Sequence, residues 1–293
     1  MNHNRYQLAM PPRSVPLAVR VQAIFGGASG QFGWLFFGFG MIFVWIFGLP
    51  TLIYSMPFWL GGVETAPGVV AAVQGTDSSE NEVPVMANQY IFRVERLERE
   101  YRGESYTTGS QYSVGDEVTI EYVADNPDIS RIAGTRTGHF STWALCFVGI
   151  FPLVGLAFIA VSLAQGFRGI RLLKNGKIAG GRLVDKSPTG TRINNLPVYQ
   201  LTFEFIADDG MPYRATARSH LPASLQDEAL EQLVYDPRNP SKAVLLDNLP
   251  GSPDIDETGQ IYGPASPIAL VLPLLLPVVV VLVHGSIIMA MIF

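Results

Sequence analysis

Three stretches of the chain are apolar at almost every position: WLFFGFGMIFVWIFGLPTLIY (34–54), FSTWALCFVGIFPLVGLAFIAVSLA (140–164) and IALVLPLLLPVVVVLVHGSIIMAMIF (268–293). None has the polar stripe that a core helix turns to water. About 20 apolar residues rising about 1.5 Å each cover a hydrocarbon core of about 30 Å, so each stretch predicts a transmembrane helix. Trp34, Trp59 and Trp143 flank the first two, where an indole keeps its ring in hydrocarbon and its N–H wet. Pro50 predicts a kink in the first helix, since proline donates nothing to the helix ladder. A re-entrant hairpin around Gly48-Leu49-Pro50 is the alternative there. Ala160 and Ala164 offer a small-residue face on which helices can approach.

Between the apolar stretches the pattern changes to period two, which buries one face of a strand and wets the other. PGVVAAV (67–73) has the branched residues of a strand, and the start of YIFRVERLEREY (90–101) and VGDEVTIEYV (114–123) alternate in this way. A turn is expected at Arg102-Gly103-Glu104. The second polar segment repeats the order: GRLVDK (181–186), YQLTFEFIA (199–207), a turn at Asp208-Asp209-Gly210, MPYRATA, then LEQLVYDPRNP and KAVLLD. In this alignment Gly103 answers Gly210 and Tyr106 answers Tyr213. YVADNPDISRIAG (122–134) and YDPRNPSKAVLLD (235–247) share Tyr, three residues, then Asn-Pro, and Tyr235 follows Tyr122 by 113 positions. Asn bonds the local backbone and Pro fixes φ, so the Asn-Pro pair reads as a turn and not as a site.

The resulting fold class is membrane α-helical, three transmembrane helices, plus two small and mostly antiparallel β modules, α+β overall. The expected order is an N-terminal segment (1–33), helix (34–57), β module (58–138), helix (139–165), β module (166–266) and helix (267–293). A span followed by Gly68-Val69-Val70 or Gly181-Arg182-Leu183, then by a strand at Tyr90 to Val94 or Tyr199 to Phe203, and closing at Tyr235 to Pro240, resembles a bacterial membrane-protein family. That family is defined by the domain of unknown function 3592. The second copy carries the pattern more fully, because Val123-Ala124 replace Asp-Pro in the first. The resemblance implies a membrane-anchored β module and brings no catalytic residues with it.

Composition sharpens this picture. The 293 residues are 48% hydrophobic and 15% charged, against roughly 25% charged in soluble domains. The net charge of −5 supplies no basic face for nucleic acid. The single cysteine, Cys146, makes neither an intrachain disulfide nor a cysteine-based zinc site. Arg5, Arg13 and Arg20 precede the first span with no acid among them. Arg168, Arg171, Lys174, Lys177, Arg182 and Lys186 follow the second with Asp185 alone, whereas residues 58–138 hold 13 acids and 6 arginines. By the positive-inside rule the N-terminus is cytoplasmic, the first module extracytoplasmic, the second cytoplasmic and the C-terminus extracytoplasmic, in a plasma or inner membrane.

Candidate chemistry is sparse. His3, His139, His220 and His284 form no H-x-x-x-H pair, and the G-x-S-x-G and P-loop patterns are absent. GGASGQFG (26–33) lacks the lysine of a phosphate loop and reads as a flexible lead-in to the membrane. The run holding Arg96, Glu98, Arg99 and Glu100 is either a solvated hairpin face or a docking surface for another envelope protein. Arg168, Arg171, Lys174 and Lys177 are either a topology anchor or a contact for anionic lipid. His284 lies in the third span. No cofactor or metal is implied. The expected partners are membrane lipids and a membrane or envelope protein, with a homo-oligomer compatible and no nucleic acid. The functional reading is a non-enzymatic binding or organising component of the cell envelope. A membrane-bound enzyme with an unrecognised site, or an accessory subunit of a transport complex, are the alternatives.

Overall fold

The computed structural model describes residues 8–140, 142–219, 230–249, 251, 253–256, 258–264 and 266–292, with backbone alone for 142–145. His3 and His220 lie outside these residues. The chain forms two units, one of Phe37–Leu153 and one of Met1–Phe36 with Val154–Phe293. Each holds one five-stranded antiparallel sheet, and among the described residues three helices are long and apolar enough to cross a membrane.

In the first unit, β1 (Val63–Glu80), β2 (Val83–Val94), β3 (Arg99–Thr108), β4 (Glu117–Val123) and β5 (Asn126–Ile132) are ordered β3-β2-β1-β4-β5. β1 is long and changes partner along its length, pairing with β4 over Val63–Val69 and with β2 from Gly68 onward. The sheet curls until its edges meet, where Tyr106 and Arg136 exchange backbone hydrogen bonds of 2.8 and 3.3 Å. Val70, Tyr90, Phe92, Ile120, Tyr122 and Ile132 fill the interior.

In the second unit, β6 (Lys177–Ile193), β7 (Leu196–Ile206), β8 (Pro212–Ser219), β9 (Glu231–Asp236) and β10 (Asn239–Leu245) are ordered β8-β7-β6-β9-β10. This is the same fold, with an offset of 113 between matching positions except in β3 and β8, where it is 112. Gly68 pairs with Val118 as Gly181 pairs with Glu231, and Val70 pairs with Tyr90 as Leu183 pairs with Phe203. Bulges follow Val70 and Leu183. The turn pairs Asn81-Glu82 and Asn194-Asn195 all take positive φ, between 49 and 67°, the geometry of a two-residue hairpin turn that twists with its strands. Thr76 and Thr189 donate to the carbonyls of Val85 and Val198 at 2.9 and 2.8 Å. The Asn-Pro pairs open the return strands β5 and β10, directly after two-residue turns closed by Val123 with Asn126 and by Asp236 with Asn239. The turns fall where the sequence predicts them, with Asn as the last residue of each turn and the first of the strand.

Two sequence alignments need correcting. Gly103 is not in a turn. It lies mid-strand in β3 opposite Tyr90, where an added Cβ would come within 2.4 Å of the tyrosine oxygen. The turn falls earlier, at Glu95–Glu98, and Glu98 (φ 50°) takes the left-handed place that Gly210 (φ 75°) takes in the second module. Tyr213 therefore answers Tyr101, not Tyr106, and Tyr90 answers Phe203, not Tyr199. The Tyr106 alignment fails with the misplaced turn, whereas Tyr199 and Phe203 differ by four, and period-two alternation cannot choose between registers that differ by an even number of residues; the packing does. Phe92 contacts Tyr101 and Tyr122 at ring distances of 5.7 and 5.6 Å, and Phe205 contacts Tyr213 and Tyr235 at 6.0 and 5.4 Å.

The first apolar stretch is helical without interruption: α2 (Ala28–Phe43), a wide π turn (Val44–Gly48) and α3 (Leu49–Leu60). It does not double back. The N–H of Leu49 reaches the carbonyl of Val44, five residues before it, and this wider turn precedes Pro50. Two of the glycines of 26–33 are not part of a flexible lead-in. Gly30 and Gly33 lie on α2, and a Cβ at Gly33 would fall 2.9 Å from the backbone nitrogen of Ile159 on α4 (Thr142–Asn175). Without a side chain the two backbones approach closely. The buried stripe of α4 is Pro152, Gly155, Ile159, Ser162, Gly166 and Gly169, while Ala160 and Ala164 are exposed. The small-residue face is thus displaced from the two alanines.

The third helix, α5 (Pro267–Ile292), contains Pro273 and Pro277. Neither has an N–H, so the carbonyls four residues before them, at Ala269 and Pro273, lose their helical donors. The side-chain amide of Gln22, on α1 (Leu17–Phe25), donates to Ala269. That of Gln31 donates to Pro273 at 2.7 Å. Two apolar-looking segments are thus tied by polar residues placed where proline leaves a vacancy.

Candidate functional site

Strand β1 and its counterpart β6 must bend where they change partners, and a glycine stands at each bend. A Cβ at Gly68 would come 2.6 Å from Ile120, and one at Gly181 2.7 Å from Leu233. On the outer face beside each bend lies a groove. That of the first module, about 800 Å³, is lined by Thr65, Pro67, Val69, Glu100, Glu117 and Thr119 among others. That of the second, about 770 Å³, has Ile178, Gly180, Leu230 and Gln232, which stand 113 positions after Thr65, Pro67, Glu117 and Thr119.

The second groove has a roof made of the chain's own N-terminal segment, Leu8 to Arg13. The backbone of Ala9 donates to Gly259 and that of Arg13 to Lys174, each at 2.8 Å. Buried Arg13 also donates to the carbonyls of Leu173 and Gly176 at 3.0 and 2.9 Å. A cation thus meets the carbonyls at the C-terminal end of α4, where the helix dipole is negative. Burial lowers the Arg13 pKa. Next to this seal Val15, Val19, Leu172, Leu173, Val234 and Leu249 form an apolar cluster joined by Ile178 and Val244. In the first module the positions of Val234 and Val244 are Glu121 and Arg131. These form an ion pair at 2.7 Å, with Arg131 also 4.3 Å from the centre of the Phe58 ring. The same face is therefore an apolar seat in one copy and a charged one in the other.

The interiors diverge too. Asn88, Tyr90, Ser105 and Ser130 occupy the places of Leu201, Phe203, Ala217 and Ala243. Asn88 is fully buried; its amide donates to Thr107 at 3.0 Å, and among the described residues its carbonyl oxygen has no partner. The Tyr90 hydroxyl donates to Ser130 at 3.1 Å, and burial pushes its pKa up to about 12.

Of the charged run in the first module, Arg96 donates to the carbonyl of Ala124 at 2.8 Å, Arg99 lies over the Tyr101 ring at 5.2 Å, and Glu98 makes the turn. Glu100 alone of the four lines the groove. The basic run also divides. Lys177 pairs with Asp208 beside the second groove, and the Tyr235 hydroxyl donates to the same carboxylate at 2.8 Å. Lys177, then Tyr235, hold the Asp208 carboxyl below its ordinary pKa. Burial, then Asp208, push the Tyr235 hydroxyl up to about 12. Arg168 and Arg171 lie elsewhere, on a smaller cleft, and Lys174 is exposed. The His139 ring lies tilted against that of Tyr106, 4.4 Å between centres, and His284 is buried. Among the described residues no group of His, Cys, Asp and Glu has the arrangement to hold a metal. The grooves escaped the sequence reading because each joins residues from separate strands; the signal that marks them is Gly68 and Gly181 in the same register. No protein-family model matches the chain, and no curated protein matches its sequence.

Proposed function

We propose that this chain is a multi-pass protein of the plasma or inner membrane that binds or organises other envelope components, with its two β modules on opposite faces. The observation that carries the reading is one outer groove put to two uses. In the second module the chain's own N-terminal segment forms part of its wall. The counterpart in the first module is lined by strands β1 to β4 alone and offers polar and acidic positions where the second has Ile178 and Leu230. The first module then faces outward to meet a membrane or envelope protein, and the second, with the N-terminal segment, is the cytoplasmic anchor. Residues 8–25 pack with the second module in one unit, which supports placing them on one side. A single span, α4, separates the modules in the chain. The family with domain 3592, a membrane-anchored β module, remains the resemblance that fits this proposal.

The test has two arms. A reporter active only outside the cytoplasm is fused after residue 110 and, separately, after residue 220; activity in the first and silence in the second is expected. A photo-crosslinking residue at Thr119 should then capture a protein that one at Gln232 does not. Equal reporter activity at both sites would overturn the two-sided arrangement. Equal crosslinking at the two grooves would overturn the division of labour.

A further inference from the structure

The first charge in α4 after 24 apolar or uncharged positions from residue 144 is Arg168, which sets the level at which the helix leaves hydrocarbon. At that level the structure has a cleft of about 370 Å³ lined by Phe167, Arg168, Arg171, Leu172, Asp236 and Lys242. Lys242 comes from β10 and is 74 positions from Arg168; no reading of the basic run alone brings it there. Three cations share the cleft with one carboxylate. Both oxygens of that carboxylate are engaged, one by Arg171 at 3.4 Å and the other by the backbone N–H of Arg238 at 3.0 Å. Among the described residues, Arg168 and Lys242 have no acid within ion-pair distance. Phe167, one position before Arg168 toward the apolar part of α4, also lines the cleft and is 58% exposed.

A bipartite lining of this kind, an exposed aromatic ring on the membrane side and unpaired cations on the water side, matches an amphiphile that is itself apolar at one end and anionic at the other. We propose that this cleft binds the phosphate headgroup of an anionic phospholipid, held by Arg168 and Lys242, with Phe167 against the start of an acyl chain. Asp236 orients Arg171 at the rim of the cleft. The inference rests on the reading of α4 as a membrane span. It differs from a topology anchor in one respect: Lys242 lies in a strand, far in sequence from any span, and has no part in setting orientation.

The full chain is reconstituted in nanodiscs of phosphatidylcholine with one fifth phosphatidylglycerol, and retained lipid is counted by native mass spectrometry after transfer to detergent. The wild type should retain phosphatidylglycerol in preference to phosphatidylcholine, and Lys242→Gln should reduce that preference about fivefold, as for loss of one basic residue at an anionic surface. Arg168→Gln should do the same. Inorganic phosphate at millimolar concentration should leave the retained lipid unchanged. A Lys242→Gln variant that keeps the wild-type preference overturns the proposal, and so does phosphate displacing the lipid, which would mark a site for the free anion. Resistance of the protein to carbonate extraction from membranes is scored in parallel. Its loss would sink the span itself, a failure separable from normal insertion without lipid selectivity.

Discussion

Substituting Gln31 by Met keeps its length and unbranched shape and removes the donor to the Pro273 carbonyl. That carbonyl has no helical donor because the residue four positions on is Pro277, and Gln31 reaches it at 2.7 Å. An unsatisfied buried carbonyl costs about 1–3 kcal/mol, and hydrogen bonds between membrane helices average nearer ~0.6, with a maximum near ~1.7 kcal/mol. Gln31→Met should therefore destabilise by about 1 kcal/mol. The second donor bond of Gln31, to Phe25 at 2.7 Å, lies at the end of α1, where water can substitute. The decisive background is Pro277→Ala. Alanine restores the backbone N–H, the helix satisfies Pro273 for itself, and Gln31→Met should then have an effect of only a few tenths of a kcal/mol. The assay is reversible unfolding in mixed micelles by sodium dodecyl sulfate, followed by tryptophan fluorescence, on the four proteins of the cycle. Equal destabilisation by Gln31→Met with proline or alanine at 277 would refute the reasoning, because the glutamine would then act through something other than the orphaned carbonyl.

Further outcomes follow from the twin modules. Gly68→Ala and Gly181→Ala should each destabilise by about 1–3 kcal/mol through overpacking, and Gly68→Ala by more, since its Cβ meets stiff Ile120 and the Ile91 carbonyl whereas that at Gly181 meets the mobile end of Leu233; thermal melts of the two variants give the order. Exchanging Asn88→Leu together with Ser105→Ala, the pair its twin uses, should leave the melting temperature unchanged or raised, because the Asn88 carbonyl oxygen is already unpartnered. Asp208 has a carboxyl pKa lowered from 3.8 by Lys177 and Tyr235, so its contribution is present above that value and lost as pH falls through the lower folded value. The stability gap between wild type and Asp208→Asn should thus be constant at neutral pH and close in acid. A gap that widens in acid would reverse the assignment.

The alternation in residues 114–123 and 199–207 was enough to place β4 and β7, because a strand with one buried face has to write that face into every second residue. Tyr122, Tyr235 and the Asn-Pro pairs aligned correctly because they sit at two-residue turns, where local backbone geometry restricts the choice. Gly103 misled because a glycine that admits the Tyr90 ring looks in sequence like one that makes a turn. Thr76 and Thr189, which hold matching bulged segments, passed unnoticed, since one residue per module carries no periodicity.

The chain's sequence by itself determined the number of long apolar helices, the period of the strands and the fact of duplication, all of which repeat over many residues and so survive local noise. Tertiary structure alone decided which small residues lie between helices, which side chains answer the prolines of α5, and that Lys242 joins Arg168. These are meetings of single residues far apart in the chain, fixed by how two surfaces pack and not by any pattern along one of them. The same reason separates the twin grooves: the sequences at Thr65 and Ile178 differ modestly, but only the fold shows that the N-terminal segment lies across one of them.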